Sequence, residues 1–283
     1  MNKLDIENYN LELTLLGGQS FTWNKVNEIY LGTHRDCAIA IKEENNSILW
    51  QTYPVNNNNE LIEEYLNIYF DYNASLKEIL KDKHIIAASK QNNGVRLLNQ
   101  DFETVLMNFI LSSHKSVKGV RKLVKDISKK YGNSIKSEYG ESYTFPSAKA
   151  IALLSENDLR DIGAGFRAPY LKAAAEKLVT DKKLIKDLGN KTTSELKEYL
   201  TSFKGIGNKI ADCILVFGLG RLDITPLDIW AKRVLIEFYA LSPKLNYLEM
   251  STWYTNYFGK NTAIAGQILF EYIRNLPKPK QKK

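Results

Sequence analysis

The chain has 283 residues, 44% of them hydrophobic, which is enough for two domains or one large one with ordinary packed cores. Its 39 Lys and Arg against 32 Asp and Glu leave a net charge of +7 and a sequence pI near 9.1, compatible with a polyanionic partner without requiring one. The two cysteines, Cys37 and Cys213, form no CxxC pair, which excludes zinc or iron–sulfur sites built from Cys ligands, and no disulfide framework is expected. The start MNKLDIENYN has no apolar signal core, the longest apolar stretch, around Ile210 to Leu219, is too short and too polar for a membrane span, and a soluble cytoplasmic protein is expected.

Leu11, Leu13 and Leu15 alternate with polar or mixed positions, which predicts a strand that Gly17 and Gly18 interrupt. Further strands are predicted over 28–31, 37–42 and 48–53, with EENNS as the turn between the last two. PVNNNNE closes the strand series and leads into a helix with Leu61, Ile62, Tyr65, Leu66 and Tyr69 on one face. From about Asp101 the pattern is helical, starting with Phe102, Val105, Leu106, Phe109 and Ile110, and no comparable strand pattern returns. Helices are predicted over 117–131, 147–154, 156–161, 168–180, 193–202, 207–217, 226–239 and 261–275, and the closing PKPKQKK reads as a disordered basic tail. The fold class is therefore α+β: an N-terminal antiparallel β-sheet domain with helices over 1–95, an all-helical region over 96–276 and a tail over 277–283.

The most informative segment is FKGIGNKIADCILVFGLGRLDITPLDIWAKRVL. Gly205 and Gly207 lie between a helix ending near Phe203 and one beginning near Gly207, a helix, tight hairpin and helix. The second helix's N-terminus offers free N–H groups to a phosphate, a grip on a nucleic-acid backbone that reads no sequence. Lys209 sits just inside that helix, and Asp228 follows nineteen residues later in TPLDIW. Alone, Lys209 reads as a phosphate contact or a solvated residue, and Thr225, Pro226 and Asp228 as a capping box with Pro at the first helical position. Cys213 falls one turn after Lys209 on the same helical face, where a free cysteine is ordinarily a small core residue.

Together these residues resemble the helix-hairpin-helix DNA glycosylases, and the lysine is similar to that of the 8-oxoguanine glycosylase/lyase branch. The resemblance runs from Gly17 to Phe270. It implies a lesion pocket at the junction of two helical subdomains, with Lys209 and Asp228 catalytic and Cys213 lining the pocket. The chemistry agrees: breaking the bond between sugar and base places positive charge on the sugar, which a carboxylate stabilises, while an amine can capture C1′ as a Schiff base. The amine must be neutral to attack, so either partial burial and the positive helix terminus lower its pKa or a partner, the departing base or Asp228, takes its proton.

The segment LLGGQSFTW is similar to the family stretch in which a glycine carbonyl, matched by Gly18, accepts the N7 hydrogen that only oxidised guanine carries. GAGFRAPY resembles the loop that enters the duplex, with Phe166 as wedge and Arg167 beside the vacated space. AGQILFEY resembles the pocket helix: Phe270 matches the stacking aromatic, but Gln267 is three residues before it where the family glutamine is four, and Gly266 holds that place. In LSSHKS, His114 stands where relatives tend to carry asparagine, as a candidate DNA contact. The expected activity is base excision of 8-oxoguanine with abasic-site lyase chemistry, in a monomer acting on double-stranded DNA, nucleoid-associated if prokaryotic, without membrane, metal or organic cofactor. The alternatives are a water-using glycosylase for alkylated bases and a non-catalytic hairpin module that binds DNA.

Overall fold

The computed structural model describes residues 1–57, 59–181 and 185–277. The expected basic tail lies outside the described residues beyond Pro277. An N-terminal five-stranded antiparallel sheet has the order β1-β5-β4-β3-β2, with β1 Asn2–Asp5, β2 Asn24–Val26, β3 Ile29–His34, β4 Cys37–Glu44 and β5 Ser47–Tyr53. EENNS turns as expected: Asn45 and Asn46 both take positive φ, the conformation that a two-residue hairpin loop between twisted strands requires and that Asn tolerates. Ile39 and Ile41 of β4, with Ile48 and Trp50 of β5, build a core that Trp23 completes, its Nε1 donating to the Tyr65 hydroxyl at 2.6 Å.

The alternating leucines do not form a strand. Residues Leu11–Leu16 are a helix, α1, because the Asn10 side chain accepts the Leu13 N–H at 2.9 Å and caps it. Leu11, Thr14 and Leu15 point inward at spacings of three and four. Leu11 and Leu15, four residues apart, fit either period, and the cap decides between them. The helix read from Leu61 onward is α2, Glu60–Tyr65, and it ends before Tyr69, which is exposed.

Helices α3 (Tyr72–Ile79) and α4 (Lys83–Gln91), which the apolar pattern does not announce, start at the side-chain caps Asp71 and Asp82. The helical region proper has α5 Phe102–Leu111, α6 Val117–Tyr131, α7 Ala148–Ala152, α8 Glu156–Asp161, α9 Ala168–Thr180, α10 Thr193–Thr201, α11 Asn208–Leu219, α12 Ile229–Tyr239, α13 Tyr247–Phe258 and α14 Thr262–Ile273. Of these, α13 has no counterpart among the helices expected from sequence. Neither does a strand pair, β6 Ser134–Ser137 with β7 Gly140–Tyr143, which follows α6 and lies beside β3 and β5. Helix α11 is the central rod: α5 and α10 pack on it, and every residue from Ile210 to Phe217 is buried. Helices α4 and α12 pack on α14, so the second core joins segments from both ends of the sequence.

Candidate active site

The hairpin between α10 and α11 is anchored by buried Phe203 and Ile206. Gly205 has φ +86°, and a Cβ there would stand 2.5 Å from the Tyr170 ring, so both backbone angle and space demand glycine. Gly207 is different. It is the extended N-cap of α11, and among the described residues no side chain caps the helix and no atom lies within 4 Å of where its Cβ would be. The first N–H groups of α11 thus have no side-chain cap, and the positive end of the helix dipole is not neutralised by one.

Lys209 is half-buried on the first turn of α11, its Nζ 5.6 Å from the centre of the Phe109 ring. One turn on, Cys213 is buried; burial pushes its thiol up to about 11 against the opposing pull of Lys209, which favours the neutral form. Asp228 is not part of a Thr225 capping box, as the sequence suggested. It is itself the N-cap of α12, its Oδ1 accepting the N–H groups of Trp230 and Ala231 at 2.9 Å each, and Pro226 lies outside the helix. Thr225 is committed elsewhere: a Cβ on Gly266 would fall 2.0 Å from its Oγ1, so these two residues lock the loop before Asp228 against α14. Burial raises the Asp228 carboxyl above its ordinary value; the backbone N–H groups, Lys209 and Arg274 pull the other way. Such a carboxyl can stabilise positive charge and also accept a proton.

Gly18, at φ +95°, begins a segment held by buried polar bonds. Gln19 is 1% exposed, donates to the Arg96 carbonyl at 2.7 Å, accepts the Leu98 N–H at 2.9 Å, and its own carbonyl accepts from Gln100 at 2.8 Å. The two carbonyls before Gly18 are also taken. Arg121 of α6 donates to Leu16 O at 3.1 Å, and Arg274, just past α14, to Gly17 O at 3.2 Å. Arg274 also pairs with buried Glu271 at 3.3 Å, and burial holds that carboxyl up at about 7 despite the arginine. Gln267 is buried on the same face of α14 and reaches Glu271 at 3.4 Å, while Phe270 is half-buried with the Arg274 guanidinium 5.1 Å from its ring centre. Arg274 thus ties the loop before Gly18 to the end of α14, and its charge is felt by the Asp228 carboxyl.

Phe166 is 49% exposed on a 3₁₀ turn, Gly165–Arg167, flanked by Gly163 and Gly165 at positive φ. Its ring meets exposed His114 edge-on at 6.1 Å and Tyr170 at 6.5 Å, so the loop lies beside the hairpin through the tyrosine that Gly205 touches. Arg167 is buried: its Nε and Nη2 donate to Ser113 O, with the Nε bond 2.8 Å long, and its guanidinium lies 4.3 Å from the Phe166 ring centre. It therefore braces both Phe166 and the turn carrying His114, which itself has φ +52°.

The sequence pattern does not mark Gln19, Glu271 or Arg274 as parts of the site. Their signal is a polar side chain at a position that burial makes costly unless paired, which becomes visible only when the partners are known.

Two family models match the chain: the 8-oxoguanine DNA glycosylase N-terminal domain over residues 2–106, and the HhH-GPD superfamily base excision DNA repair protein over residues 107–253. The chain is 29% identical to an N-glycosylase/DNA lyase of Saccharomyces cerevisiae, covering 85% of this chain and 71% of that one. Among solved structures, it is similar to MBOgg1 bound to a low-affinity DNA ligand, with a TM-score of 0.91, 28% identity and coverage of 98% and 97%. It is also similar to the Clostridium acetobutylicum 8-oxoguanine glycosylase/lyase bound to double-stranded DNA with cytosine opposite the lesion, with a TM-score of 0.89, 26% identity and coverage of 95% and 92%.

Proposed function

The chain belongs to the HhH-GPD superfamily of base excision DNA repair proteins, and we propose that it excises 8-oxoguanine from duplex DNA and then cleaves the strand, with Lys209 as nucleophile. The observation that carries the residue assignment is the placement of Lys209 on the first turn of the uncapped helix α11, with buried Cys213 one turn on and the capping carboxylate Asp228 of α12 close enough to feel the lysine's charge. In this reading the open N-terminus at Gly207 and the turn at Gly205 grip the DNA backbone, while Phe166, braced by Arg167 and beside His114, fills the gap left by the extruded base. The base enters a pocket lined by Gly18, Cys213 and Phe270, with Gln267 behind it. The division of the chain into residues 1–95 and 96–276 belongs to the same proposal. Among the described residues no helix is long and apolar enough to cross a membrane.

Lys209 Nζ attacks C1′ of the sugar. The bond from C1′ to the base breaks, and its electron pair leaves with the base, which takes up a proton. Positive charge on the sugar is greatest as that bond opens, and Asp228 stabilises it from a site where its orientation is already fixed by two N–H groups. The sugar ring opens to a protonated Schiff base. Loss of a C2′ proton then expels the 3′ phosphate and cleaves the strand.

Borohydride trapping on a duplex with one 8-oxoguanine, beside an undamaged duplex and the Lys209→Gln protein, tests the assignment. A lesion-dependent covalent adduct is expected for the wild type and none for the variant, with excision reduced at least ~10³-fold. Base release without an adduct from the folded wild type would mean that water is the nucleophile, and an adduct persisting in the variant would move the amine elsewhere.

A further inference from the structure

Behind the lysine site lies a second polar cluster that the chemistry above does not use. Asp212 of α11 is 0% exposed, three residues after Lys209 on the same helix. Its Oδ1 lies 2.8 Å from Nζ of Lys197 on α10, and its Oδ2 accepts the Tyr247 hydroxyl of α13 at 2.6 Å. That hydroxyl in turn accepts the Leu227 N–H at 3.2 Å, in the peptide that joins Pro226 to Leu227, one residue before Asp228. Lys197 completes the cluster with its Nζ 5.4 Å from the Tyr247 ring centre. One phenol oxygen thus connects the helix that bears Lys209 to the loop that presents Asp228.

A fully buried carboxylate is costly, and apolar packing would often serve a core as well or better. Here its hydrogen bond runs through Tyr247 to a single backbone amide, in the short stretch between Pro226 and the start of α12. The Leu227 side chain is itself buried, so the loop is held from two sides. Tilting of this peptide would swing Asp228, and the Tyr247 bond opposes it.

We propose that Tyr247 and Asp212 are positioning residues for the reaction: they fix the Pro226–Leu227 peptide against α11, so that the Asp228 carboxylate is held at the place where sugar charge develops beside Lys209. This rests on the assignment of Lys209 and Asp228 as the reacting pair. Neither Tyr247 nor Asp212 touches the substrate. Small displacements of a preorganised group are enough to slow a reaction strongly, which gives the device its expected size.

The test is a double-mutant cycle with Tyr247→Phe and Asp228→Asn in the full chain, read as single-turnover excision of 8-oxoguanine at saturating enzyme. Binding to a duplex carrying a tetrahydrofuran abasic analogue and thermal unfolding are measured on the same proteins. Tyr247→Phe is expected to slow excision about ten- to a hundredfold, with affinity for the abasic-analogue duplex changing less than about threefold. In the Asp228→Asn background, the same change should slow excision little further, because the group it positions has already lost its charge. Should Tyr247→Phe not fold, Asp212→Asn carries the same cycle, with a smaller loss expected because the amide oxygen can still accept the Tyr247 hydroxyl. A wild-type excision rate in the single variant, or losses that multiply in the double variant, would overturn the proposal. Failure of the underlying assignment is separate: the wild type itself would then form no borohydride-trapped adduct.

Discussion

Helix α11 starts at Gly207 with no side chain over its first N–H groups, whereas α12 starts at Asp228, whose Oδ1 takes two of them at 2.9 Å. In the mechanism proposed above both helices carry a reacting group at the start, and each begins with N–H groups that the helix itself leaves without partners. In α12 the chain supplies its own anion and so fixes a carboxylate. In α11 it supplies none, and the site is left for a negative charge from outside. On the proposed mechanism the two termini therefore divide the work: the satisfied one would orient a catalytic charge, and the unsatisfied one would receive a phosphate.

The largest expected effect comes from separating the cap of α12 from its charge. Asp228→Asn keeps an oxygen that can accept the Trp230 and Ala231 N–H groups but removes the negative charge, so excision should fall about 10²- to 10³-fold. Unfolding stability should change by less than about 1 kcal/mol. Asp228→Ala loses cap and charge together and should show the same kinetic loss with a further cost of about 1 kcal/mol. Single-turnover kinetics and urea unfolding on the two proteins distinguish the roles, and a kinetically silent Asp228→Asn would reduce Asp228 to a cap.

A smaller effect is expected at Glu271, which shows what happens to a buried carboxylate without backbone N–H donors of this kind. Its partners are side chains, Arg274 at 3.3 Å and Gln267 at 3.4 Å, and its pKa is raised from 4.5 to about 7. Because the folded state holds the proton more tightly than the unfolded chain, this group's contribution to stability is fully present below about pH 4.5 and is lost as pH rises through about 7. Wild-type stability should therefore fall, relative to Glu271→Gln, by at most about 3 kcal/mol between pH 5 and pH 8. Urea unfolding of both proteins at pH 5, 6.5 and 8 measures this. Parallel curves would show that Arg274 offsets the burial completely.

What is legible in the sequence and what is hidden follow the same division. The hairpin is legible because Gly205, Gly207 and Lys209 act within five residues of one another, and the long helices because their apolar period repeats. Asp228 stands out, but its local role is easily misread, since T-P-L-D spells a capping box as readily as it spells a loop with a cap at its end. The Trp230 and Ala231 N–H groups on Asp228 Oδ1 settle the choice, with Thr225 turned instead against Gly266 of a distant helix. Leu11, Leu13 and Leu15 spell a strand while Leu11, Thr14 and Leu15 spell a helix, and one Asn10 bond decides the matter. Gln19, Tyr247 and Arg274 are not legible as site residues because their partners are 77, 35 and 257 positions away. Local chemistry announces itself in sequence, while positioning chemistry depends on the fold.

The smallest effect expected is the most direct attack on the contrast between the two helices. Gly207→Asp would give α11 the kind of cap that α12 has. The substitution meets no steric objection, because φ is −95° and no atom of the described residues lies within 4 Å of the added Cβ. A carboxylate at this place should bond the free N–H groups and stabilise the protein by about 0.5 to 1 kcal/mol. The same carboxylate would occupy the anion site and repel a phosphate, so affinity for undamaged duplex should fall about tenfold and the slope of log affinity against log salt should flatten by about one. Fluorescence anisotropy across a salt series, beside thermal unfolding, reads both quantities. A rise in stability together with a loss of DNA affinity means that α11 gives up stability to keep its terminus open. If the variant binds DNA like the wild type, the phosphate grip lies elsewhere, and the bare Gly207 terminus is a feature of the turn alone.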